Sequence, residues 1–258
     1  FPTRRSSDLK RTAKSSVLKA YTIKELKLLF RTPIYFMNCI LMNFLWPVFL
    51  IFPFMADPKS QGQLKVGISF IQTNNKVGIV IAAAFAISIF ISTTNLIAPT
   101  AISREGKNIF TLKYMPIDFR QIIIGKTMPA IVMGVFSVLI ILIMGILLIK
   151  FSVVVIIFIS IVCLLGIVFT SFTGILIDLT FPKLNWDTEQ KAVKQNMNGV
   201  LNMVIGIAAA AIIVFVVVKF KINMFITFAA IVILFTLIDL ALFNVISTYG
   251  VKKLSLMN

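Results

Sequence analysis

Few residues in this 258-residue chain are able to do chemistry. Histidine is absent, which removes imidazole metal sites, Ser-His-Asp and Cys-His nucleophile systems and imidazole proton relays. The two cysteines, Cys39 and Cys163, each lie in an apolar run and read as small buried hydrophobes rather than a disulfide or redox pair. No G-x-x-x-x-G-K-[ST] phosphate loop occurs, so this chain does not bind and hydrolyse ATP by that machinery. With no convergent acid–base cluster, enzyme catalysis is the least favoured reading. One carboxylate, Asp239, falls well inside an apolar stretch that holds no Lys or Arg to pair with it. At bilayer depth a carboxylate costs about 2.5–3.5 kcal/mol. Asp239 is therefore expected to face a bundle interior, to be protonated, or to bond an amide such as Asn43, Asn95 or Asn202. Two roles stay open for it: part of a translocation path, or an interhelical polar clamp. Asp178, near the end of another apolar stretch, is expected at the membrane interface.

The elements that must position these groups follow from composition. Hydrophobic residues make up 59 % of the chain and charged residues only 13 %, with a mean hydropathy of +1.01. Soluble domains carry about 45–50 % and roughly 25 %, so a water-soluble globule is excluded. A bilayer core requires about 20 apolar residues per helix. Six stretches qualify, at about 34–56, 77–98, 127–149, 153–179, 199–218 and 224–246. They are apolar on every face, which favours an all-α polytopic bundle over a barrel of alternating strands. Pro47 and Pro53 predict a kink or early end in the first span. The third and fourth spans, three residues apart, form a tight hairpin. Gly199, Gly206 and Ala208–Ala211 allow close helix packing in the fifth.

The formal net charge of +16 would suggest nucleic acid in a soluble protein, but its distribution argues otherwise. Nineteen of the 25 basic residues flank the spans on one side, and six on the other. The positive-inside rule then places both termini in the cytoplasm. The basic residues are dispersed, with no aromatic stacking platform among them. They fit contact with the lipid bilayer and topology rather than nucleic acid. Phe1–Leu9 (FPTRRSSDL) resembles a translated sequencing-adapter scar and differs in character from the rest of the chain. Residues 1–16 are set apart as a scar or disordered basic segment, and 17–258 form the six-span domain, expected to be a piece of a longer protein.

Two polar segments carry further information. Val17–Arg31 reads as an amphipathic helix, with Lys24, Lys27 and Arg31 on one side and Leu18, Tyr21, Leu28 and Leu29 on another. Such a helix lies in the headgroup plane and turns into the bilayer near Pro33. In Ile102–Lys126 (ISREGKNIFTLKYMPIDFRQIIIGK), Gly106 breaks the preceding helix and Asn108–Tyr114 forms a short one. Pro116 forces Met115 towards an extended conformation. Asp118, with Gln121 three residues on, caps a helix that runs through Lys126 into the third span. The fourth-to-fifth loop repeats the capping pattern with Asp187 and Gln190, and Trp186 is expected at the interface. That loop is either a plain connector or a second contact to a cytosolic partner.

The strings Arg104-Glu105-Gly106-Lys107, Leu112-Lys113-Tyr114-Met115-Pro116-Ile117 and Ile124-Gly125-Lys126 resemble the cytosolic coupling region of ATP-binding-cassette (ABC) exporter permeases of the type-2 class. Phe181–Asp187 and Gln190–Asn196 resemble a bacterial branch in which two six-span halves can be fused, and this chain looks like a C-terminal half. The resemblance implies a permease of the bacterial cytoplasmic membrane with six spans, cytoplasmic termini, an interfacial first helix and a coupling helix between the second and third spans. It implies a cytoplasmic ATPase partner carrying ATP and magnesium, a second six-span half, either a homodimer mate or a fused N-terminal half, and no cofactor on this chain. It also implies that Arg104, Glu105, Gly106, Lys107, Leu112, Lys113, Met115, Pro116 and Ile117 face or shape the ATPase contact. For Gly106 and Pro116 loop punctuation is the simpler alternative, and for the charged residues a solvated face. Asp239, Asn95 and Asn202 remain candidates for a translocation path or clamp. The competing readings are a secondary transporter using Asp239 and a non-transporting assembly factor.

Overall fold

The computed structural model describes residues 16–57, 59, 60, 62, 63, 66, 67, 77–149 and 151–257. The expected scar or basic segment lies outside them except for Ser16. Among the described residues every regular element is helical, and six helices are long and apolar enough to cross a membrane. This is a multi-pass membrane protein.

Helix α1, Val17–Arg31, opens on Ser16, whose hydroxyl accepts the Lys19 N–H at 3.3 Å, the usual N-cap arrangement. After Thr32 the chain turns into α2, built from Pro33–Tyr35, a π turn at Phe36–Ile40 and Leu41–Ala56. The early end expected as one outcome at Pro47 and Pro53 does not occur: the last of these segments stays helical through both prolines to Ala56. Pro47 has no N–H for the carbonyl of Asn43, one turn earlier. The Ser137 hydroxyl donates to that carbonyl at 2.8 Å, so a neighbouring helix restores the lost bond, as membrane interiors demand.

The second span, α3 (Val77–Thr94), ends where Leu96 takes a left-handed φ of 54°. A 3-10 turn at Ala98–Thr100 and a 3-10 segment at Ser103–Tyr114 come next. Helix α4 (Phe119–Ile149) starts eight residues before the expected third span, and α5 (Val153–Thr180) comes closely after it. The short α6 (Glu189–Val193) leads into α7 (Met197–Phe220). Helix α8 (Met224–Val245) continues through a π turn, Ile246–Gly250, into α9 (Val251–Leu256). The last span is thus longer than the apolar run suggested, because Lys252 and Lys253 project from a helix that does not stop.

Helices α3 and α5 form the centre, and α7 and α8 each pack against both of them; α4 packs on α5 and α3, and α2 packs on α4 and on α3, where Trp46 meets Phe90 at 4.7 Å. Phe235 of α8 meets Phe85 of α3 and Phe169 of α5 edge-on, at centroid distances of 4.5 and 5.2 Å. Burying such rings supplies contact that apolar solvent alone cannot organise. At Gly206 a Cβ would come within 2.7 Å of the Thr93 methyl carbon, so the glycine permits the close approach of α7 to α3 expected from the small residues.

Because the helices alternate in direction, α1, the 103–114 segment, α6 and α9 gather at one end. Apolar residues there, including Tyr21, Ile109, Leu112, Ile122, Leu179 and Leu254, share one core cluster. At the opposite end the start of α3 at Gly78 abuts Ile222 and Asn223.

Candidate functional site

The gathered end is where the sequence placed its candidate docking loop, and the loop is held there by polar groups from several elements. The 103–114 segment is 3-10 rather than α-helical and kinks at Gly106, with φ 55° and ψ −136°. That combination belongs to glycine. Space demands it too: a Cβ at Gly106 would sit 2.7 Å from the Trp186 ring. Trp186 is half-buried and its indole N–H donates to the Ser103 carbonyl at 2.8 Å. It therefore grips the loop. Met115 is extended, with ψ 133°, as Pro116 requires. Asp118 accepts the Arg120 N–H at 3.2 Å at the start of α4, as expected of a cap.

Two buried charged assemblies fix this loop to the bundle. In the first, the ammonium of Lys126 on α4 lies 3.1 Å from Glu25 of α1 and donates as well to Glu105 of the loop. Lys126 and Glu25 are each only 1 % exposed. Burial pushes the Glu25 carboxyl upward, but Lys126, Arg104 and Lys24 outweigh it and hold the group below the usual carboxylate range. The buried stripe of α1 is thus Tyr21, Glu25 and Leu29. The expected apolar face is corrected, because Leu28 is exposed and an acid takes its place inside. Nearby, Arg104 donates to the Ile97 carbonyl at 2.8 Å and the Thr100 hydroxyl at 2.7 Å. It lies 5.8 Å from the Tyr35 ring centre.

The second assembly centres on Asp178 of α5, which is 0 % exposed. It accepts the backbone N–H groups of Ile102 at 2.6 Å and Ser103 at 3.0 Å, the Ser103 hydroxyl, and the Asn198 amide of α7 at 2.8 Å. A carboxylate so enclosed requires several donors, and the loop supplies three of them. Asp178 is thus enclosed by protein near the end of its span. The backbone N–H of Lys183 adds a bond to the Ser103 hydroxyl at 2.9 Å, so the fourth-to-fifth loop is joined to the first. Asp187 does not cap α6; Thr188 stands at that position, and Asp187 instead pairs with Lys191 at 2.9 Å across one turn. Lys191 holds its carboxyl below the usual range.

The nine residues proposed from sequence to shape a partner contact divide by burial. Arg104, Gly106 and Leu112 are buried, Glu105, Met115 and Ile117 half-buried, and Lys107, Lys113 and Pro116 exposed. Beside them Phe110 is exposed and Tyr114 stands 83 % exposed, their rings edge to face at 6.5 Å. The outward surface is basic and aromatic. Among the described residues no group of metal-ligating side chains comes together, and both cysteines are buried and free.

The intramembrane candidates do not form one site. Asn202 accepts the Thr173 hydroxyl at 2.9 Å, joining α7 to α5. Asn95 accepts the Ile97 N–H at 3.0 Å, shaping the turn after α3. Asn43 accepts from Ser137. None of the three reaches Asp239, although the amide N–H groups of Asn95 and Asn202 also lack a partner among the described residues; of the arrangements open to Asp239, the amide bond is the one not made. Asp239 is 7 % exposed and continues the buried stripe Thr227, Ile231 and Phe235 on α8. Both its carboxylate oxygens lack a hydrogen-bond partner among the described residues.

Comparison with protein families, curated proteins and solved structures finds no match to this chain.

The positioning residues that sequence reading missed are Glu25, Ser103, Asp178 and Asn198. A signal existed for Glu25: it falls at i+4 from Tyr21 and i−4 from Leu29, on their own stripe. Ser103 and Asn198 carried none, since their shared partner Asp178 lies 75 and 20 residues away from them.

Proposed function

We propose that this chain is the transmembrane half of an ATP-driven ABC exporter, working with a second six-span half in the bacterial cytoplasmic membrane. The observation that carries the reading is the 103–117 loop. It is fastened to α1, α4, α5 and α7 through buried charge, yet it presents Lys107, Phe110, Lys113, Tyr114 and Pro116 outward. A loop rigidly tied to several spans and exposing basic and aromatic groups suits the transfer of motion from a cytosolic partner to the membrane helices. ATP and magnesium then belong to that partner, whose closure rocks the loop and shifts the spans between access states. The excess of basic residues at this end supports cytoplasmic termini and an interfacial α1.

The test is purification from the native host with measurement of the ATPase activity that accompanies the chain. Tyr114→Ala, which removes an exposed aromatic anchor, is expected to weaken partner retention about 30-fold, on the scale of a hot-spot truncation of about 2 kcal/mol. An unaltered chain that retains no ATPase would overturn the reading.

A second reading draws on Asp239. An unpaired buried carboxylate suits a secondary transporter driven by an ion gradient. It requires gradient-dependent flux without ATP, abolished by Asp239→Asn; flux that persists in that variant dismisses it.

A further inference from the structure

The exposed side of α1 has a construction that neither the loop contact nor the packing of the bundle uses. Ala20, Ile23, Lys24, Lys27, Leu28 and Arg31 succeed one another at helical spacing and line an open groove of about 360 Å³. Three cations flank it, and Ile23 and Leu28 supply apolar surface between them. Lys24 lies 3.5 Å from Glu25, but Glu25 is turned inward and held more closely by Lys126 at 3.1 Å. The only acid of α1 is thereby withdrawn from the exposed stripe, which is left cationic. The groove ends at Arg31, two residues before Pro33, where the first span begins.

We infer that this stripe is a binding site for the headgroup of an anionic phospholipid. The phosphate and any further anionic group face Lys24, Lys27 and Arg31, and the glycerol and upper acyl segments rest on Ile23 and Leu28. Basic residues near a membrane surface each favour anionic lipid by about 1 kcal/mol, roughly fivefold in affinity. Apolar neighbours distinguish a lipid from a free anion, because they contribute only when a chain is attached. The inference rests on the chain crossing a membrane and not on any ATPase partner, so it stands or falls separately from the exporter reading.

The experiment uses the purified full chain in neutral detergent, titrated with phosphatidylglycerol, with phosphatidylcholine of the same acyl chains, or with inorganic phosphate, while its melting temperature is followed. Phosphatidylglycerol is expected to raise the melting temperature in a saturable way, and the other two to leave it nearly unchanged. The triple variant Lys24→Gln, Lys27→Gln, Arg31→Gln is expected to shift the half-saturating lipid concentration upward by on the order of a hundredfold. A Lys252→Gln, Lys253→Gln control, which removes charge elsewhere, is expected to keep the original response. Should the triple variant melt early without lipid, the unaltered chain at rising salt gives the same test, since screening must weaken the response. Equal shifts from phosphatidylcholine, a full shift from phosphate alone, a triple variant that responds normally, or a response indifferent to salt would each overturn the site.

Discussion

Removing the Asp178 carboxylate strands the donors it gathers. In Asp178→Ala the N–H groups of Ile102 and Ser103 and the Asn198 amide lose their acceptor in a place closed to water. An unsatisfied buried group costs about 1–3 kcal/mol, so a loss of about 3 kcal/mol or more is expected, read as a fall in melting temperature in detergent. Asp178→Asn keeps one acceptor oxygen and is expected to lose less. The Lys126 assembly yields a second prediction. Lys126→Met removes the buried cation shared by Glu25 and Glu105 and leaves Glu25 only the partly exposed Lys24 at 3.5 Å, and breaking a buried pair this way costs about 3–5 kcal/mol. Acid probes the same contact. The folded Glu25 carboxyl lies below its ordinary value, so its contribution is present above the unfolded carboxylate pKa of about 4.3 and is lost as pH falls through the lower folded value. Melting curves of the unaltered chain and Glu25→Gln should begin to approach each other as pH falls below the unfolded value of about 4.3 and meet only below the lower folded value, while near pH 7 the variant melts lower. Curves that stay parallel throughout would remove Glu25 from the account.

Among elements, the 103–114 segment depends on a backbone turn that side chains do not tolerate. Gly106→Ala forces a Cβ into the Trp186 ring and an L-residue into a glycine-only conformation, at a cost of about 1–3 kcal/mol. Because the strain is local, the expected outcome is faster amide exchange across residues 103–114 with little change in the spans. Uniform loosening of α3 and α5 would contradict this. The spans and the extended Met115 were legible in the sequence because both arise from local physics: apolar length for the first, the clash before proline for the second. Gly106 was legible as a break, but its reason, the ring of Trp186, belongs to a distant loop of the chain. The unbroken α2 was not legible, since it depends on Ser137 satisfying a carbonyl of another helix. The 3-10 character of the loop likewise reflects its anchors at Asp178 and Lys126, which no local window contains.

At the scale of the whole molecule, the structure determines which segments share an end, while the direction in which that end faces is a question of charge. Residues 103–117, α6 and α9 meet on one side, and the turn between α7 and α8 lies with the start of α3 on the other. Among the described residues, fourteen basic residues on the first side against three on the second predict that the first faces the cytoplasm, where retention of Lys and Arg sets topology. Cys39 and Cys163 are buried, so replacing them by serine or alanine yields a background in which single exposed cysteines report sidedness. Tyr114→Cys and Lys221→Cys sample opposite ends. In intact cells a membrane-impermeant maleimide is expected to label the cysteine at 221, and to reach that at 114 only after permeabilisation. The reverse pattern would put the basic and aromatic loop outside, beyond the reach of any cytosolic ATPase, and the exporter reading would fail with it even if every contact at Asp178 and Lys126 were intact.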